Sequence, residues 1–173
     1  MKIAVVGYSG GGKSYLSDKL SELYGIPVMH LDAVKYDKNW VAKDKTLVLN
    51  QVALFMEKES WIIDGNYSAL YQKERLLAAD EIIIVKPGRL RCLWGVIKRE
   101  KEYKRMGYVK SLNFDFICFV LFGGRTKKRR QHYKDIENQY KDKTTVIHTK
   151  RQLNEYIKRR EQRDQLCQQN GNT

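Results

Sequence analysis

The run Gly7-Tyr8-Ser9-Gly10-Gly11-Gly12-Lys13-Ser14 stands directly behind the apolar Ile3-Ala4-Val5-Val6. Glycine weakens any regular element that contains it, so four glycines in eight residues mark a place where backbone shape outranks regularity. The spacing is G-x-x-x-x-G-K-[ST], with Gly7, Gly12, Lys13 and Ser14 in the fixed places. Such a loop turns backbone N–H groups inward around a phosphate. The helix that begins near Lys13 aims its free N–H groups and the positive end of its dipole at the same point. Lys13 is then expected to reach the β- and γ-phosphates of ATP, and Ser14 to place its hydroxyl on Mg²⁺. Ser9, Gly10, Gly11, Gly12 and Tyr15 complete the expected nucleotide-binding stretch. A loop of this kind needs a strand before it and a helix after it, so it fixes how the fold begins.

The rest of the chain alternates the same two elements. Val28–Leu31, Trp61–Ile63, Ile82–Val85 and Thr145–Ile147 are short apolar runs that suit buried parallel strands. Between them, apolar residues recur at helical spacing: Leu16, Leu20 and Leu23; Val48, Val52 and Phe55; Leu90, Leu93, Trp94 and Ile97; Tyr133, Ile136 and Tyr140; Leu153, Tyr156 and Ile157. Five strands with helices in the connections predict an α/β fold, a three-layer α/β/α sandwich on a five-stranded parallel sheet. At 173 residues the chain is expected to form one domain over 1–165, with a polar tail at 166–173.

Ligands of such sheets lie beyond the carboxyl ends of the strands. Besides the phosphate loop, that rule selects Asp32 in "VMHLD", Asp64 in "WIIDGNY" and the residues after Pro87. Asp64 is expected to share Mg²⁺ with Ser14, the alternative being a turn-forming Asp-Gly. Asp32 is expected to orient or deprotonate an attacking hydroxyl, the alternative being a helix cap. The three histidines show no metal-ligand spacing. Cys92, Cys118 and Cys167 are odd in number and far apart, which reads as reduced thiols in a cytoplasm and no zinc. The apolar runs are too short to span a bilayer, and the glycine-lysine run cuts short any signal-peptide core, so no membrane association is expected.

The net charge of +13 is unevenly placed. Residues 1–87 carry 11 Lys/Arg against 11 Asp/Glu, and residues 88–173 carry 22 against 9, so the second half holds all of it. A run of charge is ordinarily a solvated face, but arginine and lysine in excess also suit phosphate, of a nucleotide or of a nucleic acid.

"GYSGGGKS", "PVMHLD", "WIIDGNY", "ADEIIIVKP" and "CLWGVIKR" follow one another in the order and spacing of the adenylate-kinase-like P-loop family. Over residues 1 to about 150 the chain most resembles its topology-modulation (FlaR-related) branch. The resemblance implies the nucleoside/nucleotide-kinase fold with strand order 2-3-1-4-5 and a helical lid over about 105–130. Within that lid "NFDFICFVLFGG" is expected to pack as a short helix capped by Asn113. Lys98 and Arg99 match the family's phosphate-binding basic residues. Arg129 and Arg130, in "RTKKRR", are the candidates to close over the γ-phosphate. Asn66-Tyr67 depart from the family's D-G-F-P-R, so a nucleoside monophosphate is not the assured acceptor. Trp94, or Arg91 one turn earlier, stands in for the arginine that stacks on adenine. The activity so implied is an ATP- and Mg²⁺-dependent phosphotransferase acting on a small acceptor: a nucleoside, a nucleotide or another hydroxyl compound. A monomer or homodimer in the cytoplasm is expected. The rival expectation is a nucleotide-binding regulator whose basic half contacts nucleic acid, in keeping with DNA topology modulation. No helix-turn-helix or RNA-binding signature supports it, and only weak, non-specific nucleic-acid binding is expected.

Overall fold

Strands buried on both faces need apolar side chains at every position, and the runs Ile3–Val6, Trp61–Ile63 and Ile82–Val85 fill that role, while the runs near 28–31 and 145–147 are largely half-buried. The computed structural model describes residues 1–37, 39–105 and 112–170, without the side chains of 103 and 167–170. Strands β1 (Lys2–Gly7), β2 (Val28–His30), β3 (Trp61–Asp64), β4 (Glu81–Val85) and β5 (Thr144–Ile147) form one parallel sheet in the order β2-β3-β1-β4-β5. Helices α1 (Lys13–Tyr24), α2 (Leu31–Lys35), α3 (Lys45–Met56), α4 (Gln72–Ala78), α5 (Arg89–Arg105), α6 (Phe114–Leu121), α7 (Lys127–Gln139) and α8 (Lys150–Asn170) run between and after the strands. The three-layer sandwich and its strand order are those expected. Part of the expected lid, 106–111, and the end of the expected tail, 171–173, lie outside the described residues.

The period of two along β1 divides the core. Ala4 and Val6 join Trp61, Ile63, Ile82 and Ile84 on one face, with Val48, Val52, Cys92 and Ile136 packed over them. Ile3 and Val5 join Ile62, Ile83 and Ile147 on the other, under Leu16, Leu20 and Leu153. The register sets Val5 and His30 beside Asp64, and Gly7 beside Val85. The carboxyl ends of four strands therefore finish together, and the loops that carry the site share one edge.

Three details differ from the sequence reading. α2 begins at Leu31, so Asp32 lies in the first turn of a five-residue helix. α4 has no counterpart in the reading, because the polar Gln72 and Arg75 occupy its buried face and break the apolar stripe. In α5 the helix is as expected but its face is not: Leu90 and Trp94 are exposed, and Cys92 and Val96 are buried. Among the described residues no helix is long and apolar enough to cross a membrane.

Candidate nucleotide and acceptor site

The face of α5 is explained by what lies against it. Gly10 of the phosphate loop has φ +74°, and a Cβ there would stand 2.1 Å from the carbonyl oxygen of Cys92. Seen from the helix, a Cβ on Gly95 would stand 2.1 Å from the carbonyl oxygen of Gly10. Loop backbone rests directly on helix backbone, which only two glycines permit. The loop that results is a cradle in which a larger residue at position 10 has no room.

At the mouth of the cradle Lys13 Nζ donates to the Tyr8 carbonyl at 3.3 Å, and Ser14 Oγ donates to Asp64 Oδ2 at 2.7 Å. His30, on the neighbouring strand, sets Nδ1 3.2 Å from the same Asp64 oxygen and Nε2 2.9 Å from Asp18 Oδ1. Burial alone drives the Asp64 carboxyl upward in pKa. The hydrogen bond from His30, the charge of Lys13 and the Ser14 hydroxyl outweigh it and hold the group below its ordinary value. The bond to Asp64 likewise raises His30, against the effect of burial. Asp64 Oδ1 is buried and makes no hydrogen bond among the described residues. A buried carboxylate oxygen with no donor, beside a serine hydroxyl, is a set of hard oxygen ligands and fits a magnesium ion.

The loop after β3 ties two parts together. The Asn66 side chain accepts from the Gly7 N–H at 2.8 Å and donates to the Gly7 carbonyl, as a paired strand residue would. The Tyr67 hydroxyl donates to Asp32 Oδ1 at 2.6 Å, while Arg99 Nη1 lies 3.9 Å from Asp32 Oδ2. Burial and the Asp32 charge push the Tyr67 phenol well up, so it stays a proton donor to the carboxylate. A cavity of about 860 Å³ joins Lys13 and Ser14 to Asp32, and Tyr36, Trp40, Phe116 and Phe119 are also among the residues that line it.

No family model matches the chain, and no curated protein is similar to it. Among solved structures it is similar to a "putative kinase" from Chloroflexus aurantiacus, with TM-score 0.53 and 13% identity over 91% of this chain and 95% of that one. It is also similar to deoxyadenosine kinase from M. mycoides, solved with the products dCMP and a flexible dCDP bound, with TM-score 0.50 and 15% identity over 92% and 98%. The fold is that of the P-loop nucleoside kinases.

Within this nucleoside-kinase fold the residues singled out in the sequence fall into two groups. Ser9, Lys13, Ser14, Asp32, Asp64, Arg99 and Arg129 all border the one cavity, with Gly10, Gly11 and Gly12 forming the loop beside it. Arg129 holds its guanidinium 4.8 Å from the centre of the Phe119 ring. Tyr15, Lys98, Arg130, Arg91 and Trp94 are not part of that lining. Lys98 is 77% exposed and lies 3.8 Å from Glu102 on its own helix. The first arginine of "RTKKRR" takes a different part: Arg125 Nη2 donates to the Pro87 carbonyl at 2.6 Å, and its guanidinium lies 3.9 Å above the Tyr8 ring.

Sequence reasoning passed over His30, Asn66, Tyr67 and Trp40. Asn66 and Tyr67 were visible only as departures from a family pattern, and His30 only as a histidine without metal spacing. Trp40 is a non-glycine residue at φ +61°, in a turn whose Asp37 carboxylate accepts from the N–H groups of Asn39 and Val41 at 2.8 Å each. Nothing short of the folded turn brings its indole into the cavity.

Proposed function

We propose that this chain is an ATP-dependent phosphotransferase that passes the γ-phosphoryl group to a hydroxyl of a small acceptor. The observation that carries the reading is the single cavity that links the phosphate loop to Asp32. The loop amides and Lys13 bind and orient the triphosphate, and Lys13 stabilises the charge that spreads over the transferring group. Ser14 and Asp64 would hold Mg²⁺, which supplies charge neutralisation at the phosphates when bound. Asp32 receives the acceptor at its Oδ2 side, which faces the Arg99 guanidinium, since the Tyr67 hydroxyl donates to Oδ1. The acceptor oxygen forms a bond to the γ-phosphorus, the bond to the bridging oxygen of ADP breaks, and the hydroxyl proton passes to Asp32. Arg129, on the cavity wall, balances the transferring charge, and Phe116 and Phe119 exclude water. A neighbour of the same fold that is a deoxyadenosine kinase supports a nucleoside or nucleotide as the acceptor class.

The test is a coupled ADP-release assay over nucleosides, nucleotides and sugars, alongside calorimetry with Mg²⁺-ATP. At least one acceptor should raise ADP release above the acceptor-free rate, and Lys13→Ala should abolish the rise. Absence of Mg²⁺-ATP binding in the parent protein would overturn the reading. The exposed Lys127, Lys128 and Arg130 on α7 favour a second, weaker activity, non-specific contact with nucleic acid. Such contact must fall steeply with salt, by about 0.9 log units per phosphate contact for each tenfold rise.

A further inference from the structure

Three carbonyl oxygens of the loop after β3 converge on one side chain. Arg75 of α4 donates Nε to Leu70 at 2.9 Å, Nη1 to Gly65 at 3.3 Å and Nη2 to Tyr67 at 3.1 Å. Gln72, nearly one turn earlier, donates to the carbonyl between, that of Asn66, at 3.3 Å. Both side chains are buried, Arg75 completely. The carbonyls of 65, 66 and 67 are thus all held by the first turns of α4. The side chains of Asn66 and Tyr67 meanwhile reach elsewhere, to both backbone groups of Gly7 and to Asp32.

A guanidinium is an expensive filling for that place. Burial disfavours its charged form and brings its pKa down to about 10, with the Asp64 charge acting the other way. Among the described residues it makes no ion pair within 4.0 Å. An apolar side chain would pack α4 against the sheet without that penalty. What arginine alone supplies is a flat, rigid fork of donors that satisfies several carbonyls at fixed angles, which the single ammonium of lysine does not.

We propose that Arg75 is a positioning residue: by fixing the loop 65–70 it sets at once the phosphate loop, through Asn66, and the acceptor-side carboxylate, through Tyr67. The inference rests on the kinase reading for what the two ends do, and on the hydrogen bonds alone for their being tied together. The departure "GNY" from the family pattern is then the coupling element. Asn66 is its contact with the phosphate loop and Tyr67 its contact with Asp32.

The test uses ligand-free amide spectra of the full chain, with Gly7 and Asp32 as reporters, and calorimetry with Mg²⁺-ATP. Asn66→Ala should shift the Gly7 resonance and leave Asp32 in place, and Tyr67→Phe should do the reverse. Arg75→Lys should shift or broaden both, and weaken Mg²⁺-ATP about tenfold. The double variant Arg75→Lys/Asn66→Ala should bind Mg²⁺-ATP no more weakly than Asn66→Ala, because both changes act on one contact. A lowered melting point in Arg75→Lys with both reporter resonances unmoved would overturn the proposal, as would additive losses in the double variant. If Arg75→Lys does not fold, hydrogen exchange of the unaltered protein decides. The amide of Leu70, which donates to the Tyr67 carbonyl that Arg75 also holds, should be protected like those of α4, and fast exchange there sinks the coupling. A parent protein that does not bind Mg²⁺-ATP defeats the kinase reading, while the resonances still decide whether Arg75 ties the two ends.

Discussion

On the proposed kinase reading, the phosphate end of the cavity is made of backbone, whereas the acceptor end is made of side chains drawn from several elements. Gly7 to Ser14 are contiguous, and the shape they take is dictated by glycines lying against α5 and β4. Asp32 of α2, Trp40 of the following turn, Tyr67 after β3, Arg99 of α5 and Phe119 of α6 meet only because the sheet and its helices bring them together. A backbone cradle accepts any phosphate chain. Specificity for an acceptor has to come from the side-chain end, where each contact can be changed without disturbing the cradle. Changes to a residue that serves one end alone should therefore leave the other intact, unlike a change at Arg75, which stands behind both.

The largest separation is expected for Asp32→Asn. Asparagine can still accept from Tyr67, so the pocket keeps its form while the proton acceptor is lost. Transfer should drop by about 10²–10⁴-fold with Mg²⁺-ATP affinity unchanged. Loss of that affinity, measured by calorimetry, would show that the two ends are not independent.

Lys13→Ala should do the opposite. With Mg²⁺-ATP at ~100 times its dissociation constant the parent protein should gain about 2.7 kcal/mol, a melting shift of roughly 5–10 °C for a chain of this size. The variant should lose most of that shift while its ligand-free melting point stays near the parent's. A full shift retained in the variant would count against the cradle.

Gly95→Ala sharpens the comparison further. In an exposed helix the change ordinarily stabilises by about 0.5–1 kcal/mol. Here the added methyl would meet the Gly10 carbonyl, and overpacking of that kind costs about 1–3 kcal/mol. A lower melting point and weaker Mg²⁺-ATP binding are expected from a residue that touches no nucleotide. A stabilised variant would mean that the loop does not rest on α5.

The smallest effect is expected at Asp37→Ala. Two backbone N–H groups lose their carboxylate partner, at about 1 kcal/mol of stability. The turn that carries Trp40 loosens, so the Michaelis constant for the acceptor should rise while that for ATP holds. Equal changes in both constants would contradict the division.

That division also explains what could be read in the chain. The parallel sheet was legible because its central strands appear as unbroken apolar runs and the phosphate loop pins the first of them, whereas the strand order came from the family resemblance alone. The loop itself was legible because its chemistry is contiguous. The strand-end rule placed Asp32 and Asp64 at this edge, and Asp64 was already paired with Ser14. The contacts of Asn66 and Tyr67 were not legible, since Tyr67 and Asp32 are 35 residues apart and Asn66 and Gly7 are 59 apart. The face of α5 was misjudged for a related reason: helical periodicity seeks large apolar residues, and a helix that carries another segment's backbone needs small ones. α4 escaped notice because Arg75 and Gln72 turn polar groups inward to serve a loop.

The same α5 acts as a ruler. Gly95 bears on the phosphate loop, and Arg99 reaches Asp32. Four residues, about 6 Å of helix rise, separate the two contacts along the axis. The spacing between the phosphate loop and Asp32 is thereby written in a count of residues, not in the strength of any bond. A single residue inserted between Gly95 and Arg99 would turn the guanidinium by about 100° away from the cavity and leave the loop's support intact. Substitutions along that stretch are open to gradual change; its length is not.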